Sequence, residues 1–215
     1  MYRRGSAATT GPYGTIGAQA LSGHRHFSQT IAEGDGISII VTVDSAAAAL
    51  AAAAGGAEAL AQADPEGGVR EATELPILWT GPGTLELAHA QGADAFVLDL
   101  DELEEDELRV THEHALELGI DVVVEVSSEE ELERALDWVD PEILLLVSRE
   151  KSPERELDTV LGLLPDVPAG KLAIAAVSVG SRDDVAELER AGVDAVLVRA
   201  GVDVAALAGG GRADH

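Results

Sequence analysis

Cysteine is absent from this chain, which excludes disulfides, thiolate metal sites and a cysteine nucleophile. No apolar run approaches the roughly 20 residues that a membrane-spanning helix needs. At the N-terminus, Met1-Tyr2-Arg3-Arg4-Gly5-Ser6 returns to polar residues before any apolar stretch builds up. No secretory signal is therefore expected, and the protein reads as cytoplasmic with no membrane partner. No Gly-x-Gly-x-x-Gly phrase follows the first strand-like run, which weakens the case for an open dinucleotide-binding sheet. No motif implies a cofactor.

Lysine is nearly absent too, occurring only as Lys151 and Lys171. Forty acidic residues stand against fourteen basic ones, for a net charge of −26. No basic patch exists to release counterions from a phosphate backbone, so nucleic acid is not an expected partner. Self-repulsion at this charge density loosens a compact fold in dilute buffer. Screening over a Debye length of about 3 Å at 1 M salt relieves it. An acidic, lysine-poor surface suits a high-salt, halophilic cytoplasm. A high-GC codon bias explains scarce lysine but not the excess of acid.

What is present is a phrase that occurs four times: Gly56-Ala57-Glu58-Ala59-Leu60, Gly92-Ala93-Asp94-Ala95-Phe96, Gly119-Ile120-Asp121-Val122-Val123 and Gly192-Val193-Asp194-Ala195-Val196. Glycine accepts the left-handed conformation that closes a helix, and the apolar run behind it is a buried strand. Recurring helix-Gly-strand units build a parallel sheet, whose neighbouring strands need a crossover, usually a helix. Strand-like runs are expected over 37–43, 59–63, 75–79, 95–100, 122–126, 143–147, 172–177 and 195–198. Helices are expected over 46–54 and 84–90, within 101–118, and from a Ser128/Glu131 capping box onward. A short helix fits 27–33, and 183–188 opens the last crossover. Eight strands alternating with helices give a single α/β domain, a (β/α)8 barrel over 27–208. A flexible N-terminal arm over 1–26 and a disordered tail over 209–215 complete the expected organisation.

In such a barrel, function sits at the C-terminal ends of the strands. The polar residues there are Thr42, Asp44, Thr80, Asp99, Asp101, Glu125, Ser127, Ser148, Arg149, Ser178 and Arg199. Glu125 interrupts the apolar run Val122-Val123-Val124-Glu125-Val126, so it needs a basic partner or a raised pKa. Arg149, beyond the next strand, is the expected partner. The pair is either a ligand-contacting site or an ion pair that fills the barrel top. Ser178 and Arg199 end the seventh and eighth strands, where barrels often hold a phosphate. An Arg binds phosphate bidentately, while a solvated Arg is the plainer alternative. His112 and His114 lie about 200° apart on a helix and cannot share one ion, so no metal site is expected.

With the strands placed, the carrying stretches are Pro76-Ile77-Leu78 with Leu85–Ala95, Leu118–Val126 followed by Glu129–Leu136, Val147-Ser148-Arg149-Glu150, Leu157-Asp158-Thr159-Val160, and Asp183-Asp184-Val185 through Ala191–Val198. Over roughly 75–202 this pattern resembles indole-3-glycerol phosphate synthase, the (β/α)8 enzyme of tryptophan biosynthesis. Members of that family are carbon–carbon lyases that cyclise and decarboxylate a carboxyphenylamino-deoxyribulose phosphate. The resemblance implies Glu-x-Lys on the first strand, where Thr42-Val43-Asp44 stands. It implies a catalytic Lys in an Arg-Lys-Asp-Phe phrase on the third, where Trp79-Thr80-Gly81-Pro82 stands. Strand five keeps the family's Glu as Glu125 and strand six keeps its Arg as Arg149, with Val147 in place of Asn. Ala176-Val177-Ser178 stands for Glu-Ser-Gly, and Arg199 for a Gly.

These positions lead to three expectations. The first is a degenerate barrel, non-catalytic or repurposed to bind a small anionic or phosphorylated molecule through Ser148, Arg149, Ser178 and Arg199, with Glu125 as the retained catalytic position. The second is a divergent but active synthase. The third is a scaffold that docks another enzyme of the tryptophan pathway.

The charge leads to a direct test. Thermal melting should shift upward between dilute buffer and 2 M KCl. A midpoint that is flat or falling with salt would remove the high-salt reading.

Overall fold

A computed structural model of the chain describes residues 27–33, 36–101 and 103–207. The expected arm over 1–26 and tail over 209–215 lie outside the described residues. Eight strands, β1 (Ser38–Val43), β2 (Ala59–Gln62), β3 (Ile77–Trp79), β4 (Ala95–Asp99), β5 (Asp121–Val126), β6 (Ile143–Val147), β7 (Leu172–Ala176) and β8 (Ala195–Val198), close into one parallel barrel in chain order. Closure is the pairing of β1 with β8, in register from Ser38↔Ala195 to Val41↔Val198. The crossovers are α2 (Ala46–Gly55), α3 (Val69–Ala72), α4 (Leu85–Ala90), α5 (Glu105–Leu118), α6 (Glu129–Trp138), α7 (Pro153–Leu163) and α8 (Arg182–Ala191), after α1 (Phe27–Ala32) and before α9 (Val204–Leu207). Among the described residues no helix is long and apolar enough to cross a membrane.

Local chemistry explains the elements. The strands are continuous apolar runs because both faces are covered, one by the barrel interior and one by helices. Alanine, the best helix former, fills α2, which Ser45 caps by accepting the Ala48 N–H at 3.3 Å. Acidic residues crowd the first turns of α5 and α6, where the helix dipole favours them. The expected capping box at Ser128/Glu131 is only half formed. Ser128 Oγ accepts the Glu131 N–H, but the Glu131 carboxylate turns to the N–H and hydroxyl of Ser127. A reciprocal box forms at Ser181 and Asp184 instead, opening α8. Four short pieces, 3-10 turns over Pro65–Gly67 and Leu164–Asp166 and the helices α3 and α9, were not anticipated. Single-turn segments carry too little periodicity to show in a sequence.

The repeated phrase has a structural meaning at the bottom of the barrel. Its four glycines all have positive φ, from 71° to 99°, and close the preceding helices or turns. The acid that follows caps a neighbouring strand. Glu58, Asp94 and Asp194 accept the N–H groups of Ile39 (3.2 Å), Ile77 (2.8 Å) and Ala173 (2.8 Å), and each donates its own N–H to that residue's carbonyl. The phrase thus joins β2 to β1, β4 to β3 and β8 to β7. In the third copy Asp121 instead accepts the Ser28 N–H at 2.7 Å, tying α1 to the barrel floor. There Phe27 and Ile31 pack against Ile40, Ala61, Leu78 and Val123 of the interior, closing the end opposite the mouth.

These acids therefore carry stability. Asp194→Ala leaves the Ala173 N–H without its charged acceptor and should cost about 1–3 kcal/mol in urea unfolding. Exposed Asp158→Ala, by contrast, should stay within about 0.5 kcal/mol. Equal effects from the two would show that the phrase is only a turn signal.

Candidate functional site

Side chains alternate along a strand, so the interior cluster of Ile40, Leu78, Ala95, Val123, Leu145 and Ile174 fixes which residues face the mouth. By that alternation Thr42, Thr80, Asp99, Glu125, Val147 and Ala176 point inward at the upper rim. Asp44, Asp101, Ser127, Arg149, Ser178 and Arg199 continue the same parity beyond the strand ends. Trp79, by contrast, packs outward in the helix-facing cluster. With the exception of Ser148, which has the opposite parity, the strand-end residues chosen from sequence therefore share one face of the fold.

Glu125 and Asp99 sit side by side, in register across β5 and β4. Among the described residues Glu125 forms no ion pair. Partial burial first, and then the negative charge of Asp99, push its carboxyl above the ordinary range, against an opposing pull from Arg149. The expected Glu125–Arg149 contact is not made. Arg149 is 65% exposed and turns outward, pairing closely with Asp101 and standing 3.4 Å from Glu131. Arg134 adds a longer contact of 3.8 Å to Asp101. The Arg149 guanidinium holds the Asp101 carboxyl below its usual range. Asp99 Oδ1 accepts the Asp101 N–H at 2.8 Å, shaping this turn. A cleft of about 640 Å3 opens beside the acids, lined by Thr80, Asp99 and Glu125 from the barrel and by Leu103, Val110 and His114 from the side of α5. That volume suits a small molecule.

The loop after β3 is fixed by packing. A Cβ at Gly81 would lie 2.0 Å from the Ala63 carbonyl oxygen, so no side chain fits there without moving the end of β2. Across the mouth, the Ser178 N–H donates to Glu156 Oε2 at 2.9 Å, and the Gly180 and Ser181 N–H groups both donate to Asp184 Oδ2 at 2.9 Å. Ser148 Oγ accepts the Glu150 N–H at 3.2 Å. Arg199 is exposed and, among the described residues, has no ion pair. The structure thus brings Glu125, Arg149, Ser178 and Arg199 to one rim, but spends Arg149 and the Ser178 amide on internal carboxylates. Glu131 and Glu156 were not among the expected site residues. Both lie on helices, and the readable signal was an acid on a stripe otherwise apolar: Glu156, Val160 and Leu163 are buried together on α7.

The site's lineage is visible in comparisons with known proteins. The family model described as indole-3-glycerol phosphate synthase matches residues 80–203, a stretch that contains Glu125, Ser148, Arg149, Ser178 and Arg199 but not Thr42 or Asp44. Indole-3-glycerol phosphate synthase of Variovorax paradoxus is 33% identical over 80% of this chain and 63% of its own length. The Acidithiobacillus ferrooxidans protein of the same name is 36% identical over 60% of this chain and 51% of its own. The chain thus spans about half to five-eighths of the length of these relatives. A solved N-acetylmannosamine-6-phosphate 2-epimerase from Clostridium perfringens superposes with a TM-score of 0.61 over 75% of this chain and 86% of its own. At 14% identity that likeness concerns the fold.

The Glu125 carboxyl gives a pH test. Its folded pKa is raised, so the folded state holds this proton at pH values where the unfolded chain, near 4.5, has lost it. Its contribution favours folding at low pH and is lost as pH rises through the folded pKa. Glu125→Gln should therefore gain stability relative to the parent as pH climbs from 4 to 7. A difference that does not change with pH would show an ordinary, solvated carboxylate.

Proposed function

The chain belongs to the indole-3-glycerol phosphate synthase family, and from that membership we propose that it keeps the family's barrel as a small-molecule binding site but no longer performs the family's ring closure. The carrying observation is the inner rim. Positions 44 and 80, to which the resemblance assigns cationic lysines, hold Asp44 and Thr80, and position 176 holds Ala176 in place of a Glu. Ring closure with loss of carboxylate calls for a cation beside the substrate carboxylate and a proton donor for the carbonyl. Positioned acid–base groups typically contribute ~10²–10⁴-fold each. Neither remaining lysine supplies them. Lys171 Nζ lies 2.6 Å from Asp140 Oδ1 just before β7, at the closed end of the barrel, and Lys151 is exposed in the loop after β6. The tight fit of Gly81 supports the same reading, because the Asp of the family's third-strand phrase has no room there.

Glu125 remains as a protonatable group beside the cleft, able to donate to or accept from a bound ligand. A small anionic ligand is supported chiefly by Arg199, since Arg149 brings a charge already balanced by two carboxylates. The docking-scaffold reading finds little support. The exposed apolar side chains Leu50, Val110 and Leu116 are scattered, and Val110 and Leu116, six positions apart on α5, point about 120° from one another. Isolated exposed residues of this kind are ordinary.

The test is turnover of the carboxyphenylamino-deoxyribulose phosphate in molar KCl, followed by indole fluorescence. No product above the uncatalysed background is expected, from either the parent or Glu125→Gln. Turnover by the parent that disappears in Glu125→Gln would establish a divergent synthase instead.

A further inference from the structure

Glu156 is a buried acid that the rim chemistry does not use. It is only 9% exposed and lies on α7 in line with Val160 and Leu163, where an apolar side chain is the default. A carboxylate is tolerated there because donors meet it. Its Oε2 accepts the Ser178 N–H at 2.9 Å. The Ser178 side chain and, at longer range, the charge of Arg199 also favour its charged form. These contacts, led by the Ser178 side chain, hold its carboxyl below the usual range. The Ser178 N–H is thus directed at an anion at the C-terminal end of β7, the end of the fold where barrels commonly bind phosphate. Here the anion belongs to the chain itself. The following amides, Gly180 and Ser181, are already taken by Asp184.

We infer that Glu156 acts as a built-in anion that fills the oxyanion cradle between β7 and β8 and keeps inorganic phosphate and phosphate monoesters out of it. A phosphate group there would have to displace the carboxylate or share its donors with a like charge, and both are unfavourable. Glu156 is therefore a specificity-determining residue. It restricts the mouth to ligands whose acidic group is held by the Arg199 side chain rather than by backbone amides. This statement about ligand class rests on the mouth being a binding site, as proposed above.

The test uses the full chain, 15N-labelled and titrated with inorganic phosphate at ionic strength held constant with chloride. In the parent protein the Ser178 amide resonance should not move. In Glu156→Ala the same amide should shift saturably, with phosphate binding about tenfold tighter or more, and the gain should vanish when Arg199→Ala is added. Glu156→Val, whose side chain suits the stripe beside Val160 and Leu163, provides the same comparison if the alanine variant does not fold. Saturable movement of Ser178 in the parent overturns the inference, as does a vacated cradle that binds phosphate no more tightly. The outcome is independent of the turnover assay. An inactive protein still fails this test if its Ser178 amide titrates, and an active one still passes it if the substrate phosphate is held elsewhere.

Discussion

Closing eight parallel strands into a ring sends alternate side chains inward, and the mouth depends on that alternation. Thr42, Thr80, Asp99, Glu125, Val147 and Ala176 reach the upper interior because Ile40, Leu78, Val97, Val123, Leu145 and Ile174 lie below them on the same faces. One residue of slip in any strand would exchange these groups for their apolar neighbours. The acids of the repeated phrase guard against such slip at the opposite end, where Asp94 and Asp194 hold N–H groups in the first two residues of the adjacent strands, those of Ile77 and Ala173. Phe27 and Ile31 fill the floor, so the interior is packed from below.

The mouth differs from an ordinary acidic surface because its carboxylates are mostly bound internally. Asp101 and Glu131 share Arg149, Glu131 also holds Ser127, and Asp184 holds two amides. Glu125 and Glu156 show what such contacts decide. Both are partly or wholly buried glutamates near strand ends, yet their carboxyls shift in opposite directions. Glu156 is met by donors that stabilise its charge. Glu125 is met by burial and by the charge of Asp99, which destabilise it. The environment thus favours the charged form of Glu156 and disfavours that of Glu125.

The barrel was legible because its signals are local and repeated: apolar runs throughout, and a left-handed glycine followed by an acid at the start of four strands. The rim was legible because the end of a strand is visible in sequence. The partners of the rim residues were not. Arg149 was expected to meet Glu125 on the neighbouring strand, but a long and largely exposed side chain reaches whichever carboxylate solvates it best, and Asp101 and Glu131 stand further out. Glu156 lies a whole helix away in sequence from Ser178, and its importance showed only as an acid on a buried stripe. The half-formed cap at Ser128 failed for the same reason, since Glu131 found stronger donors in Ser127 and Arg149.

On the proposed reading, the absence of rim lysines and the presence of internal anions belong to one electrostatic arrangement. A phosphorylated, carboxylate-bearing substrate is held by fixed positive charge and by free N–H groups directed at its oxygens. Asp44 and Thr80 stand at positions 44 and 80, and the amides that follow β7 are the part-buried Ser178 N–H and the exposed Gly180 and Ser181 N–H groups. Glu156 and Asp184 satisfy those amides from within the chain. Each adds negative charge at the rim, in keeping with the −26 of the whole protein. On the proposed reading the field at the mouth opposes the family's anionic substrates, and the groups left for a ligand are Arg199, which forms no ion pair among the described residues, and Glu125, whose carboxyl is pushed above its ordinary range.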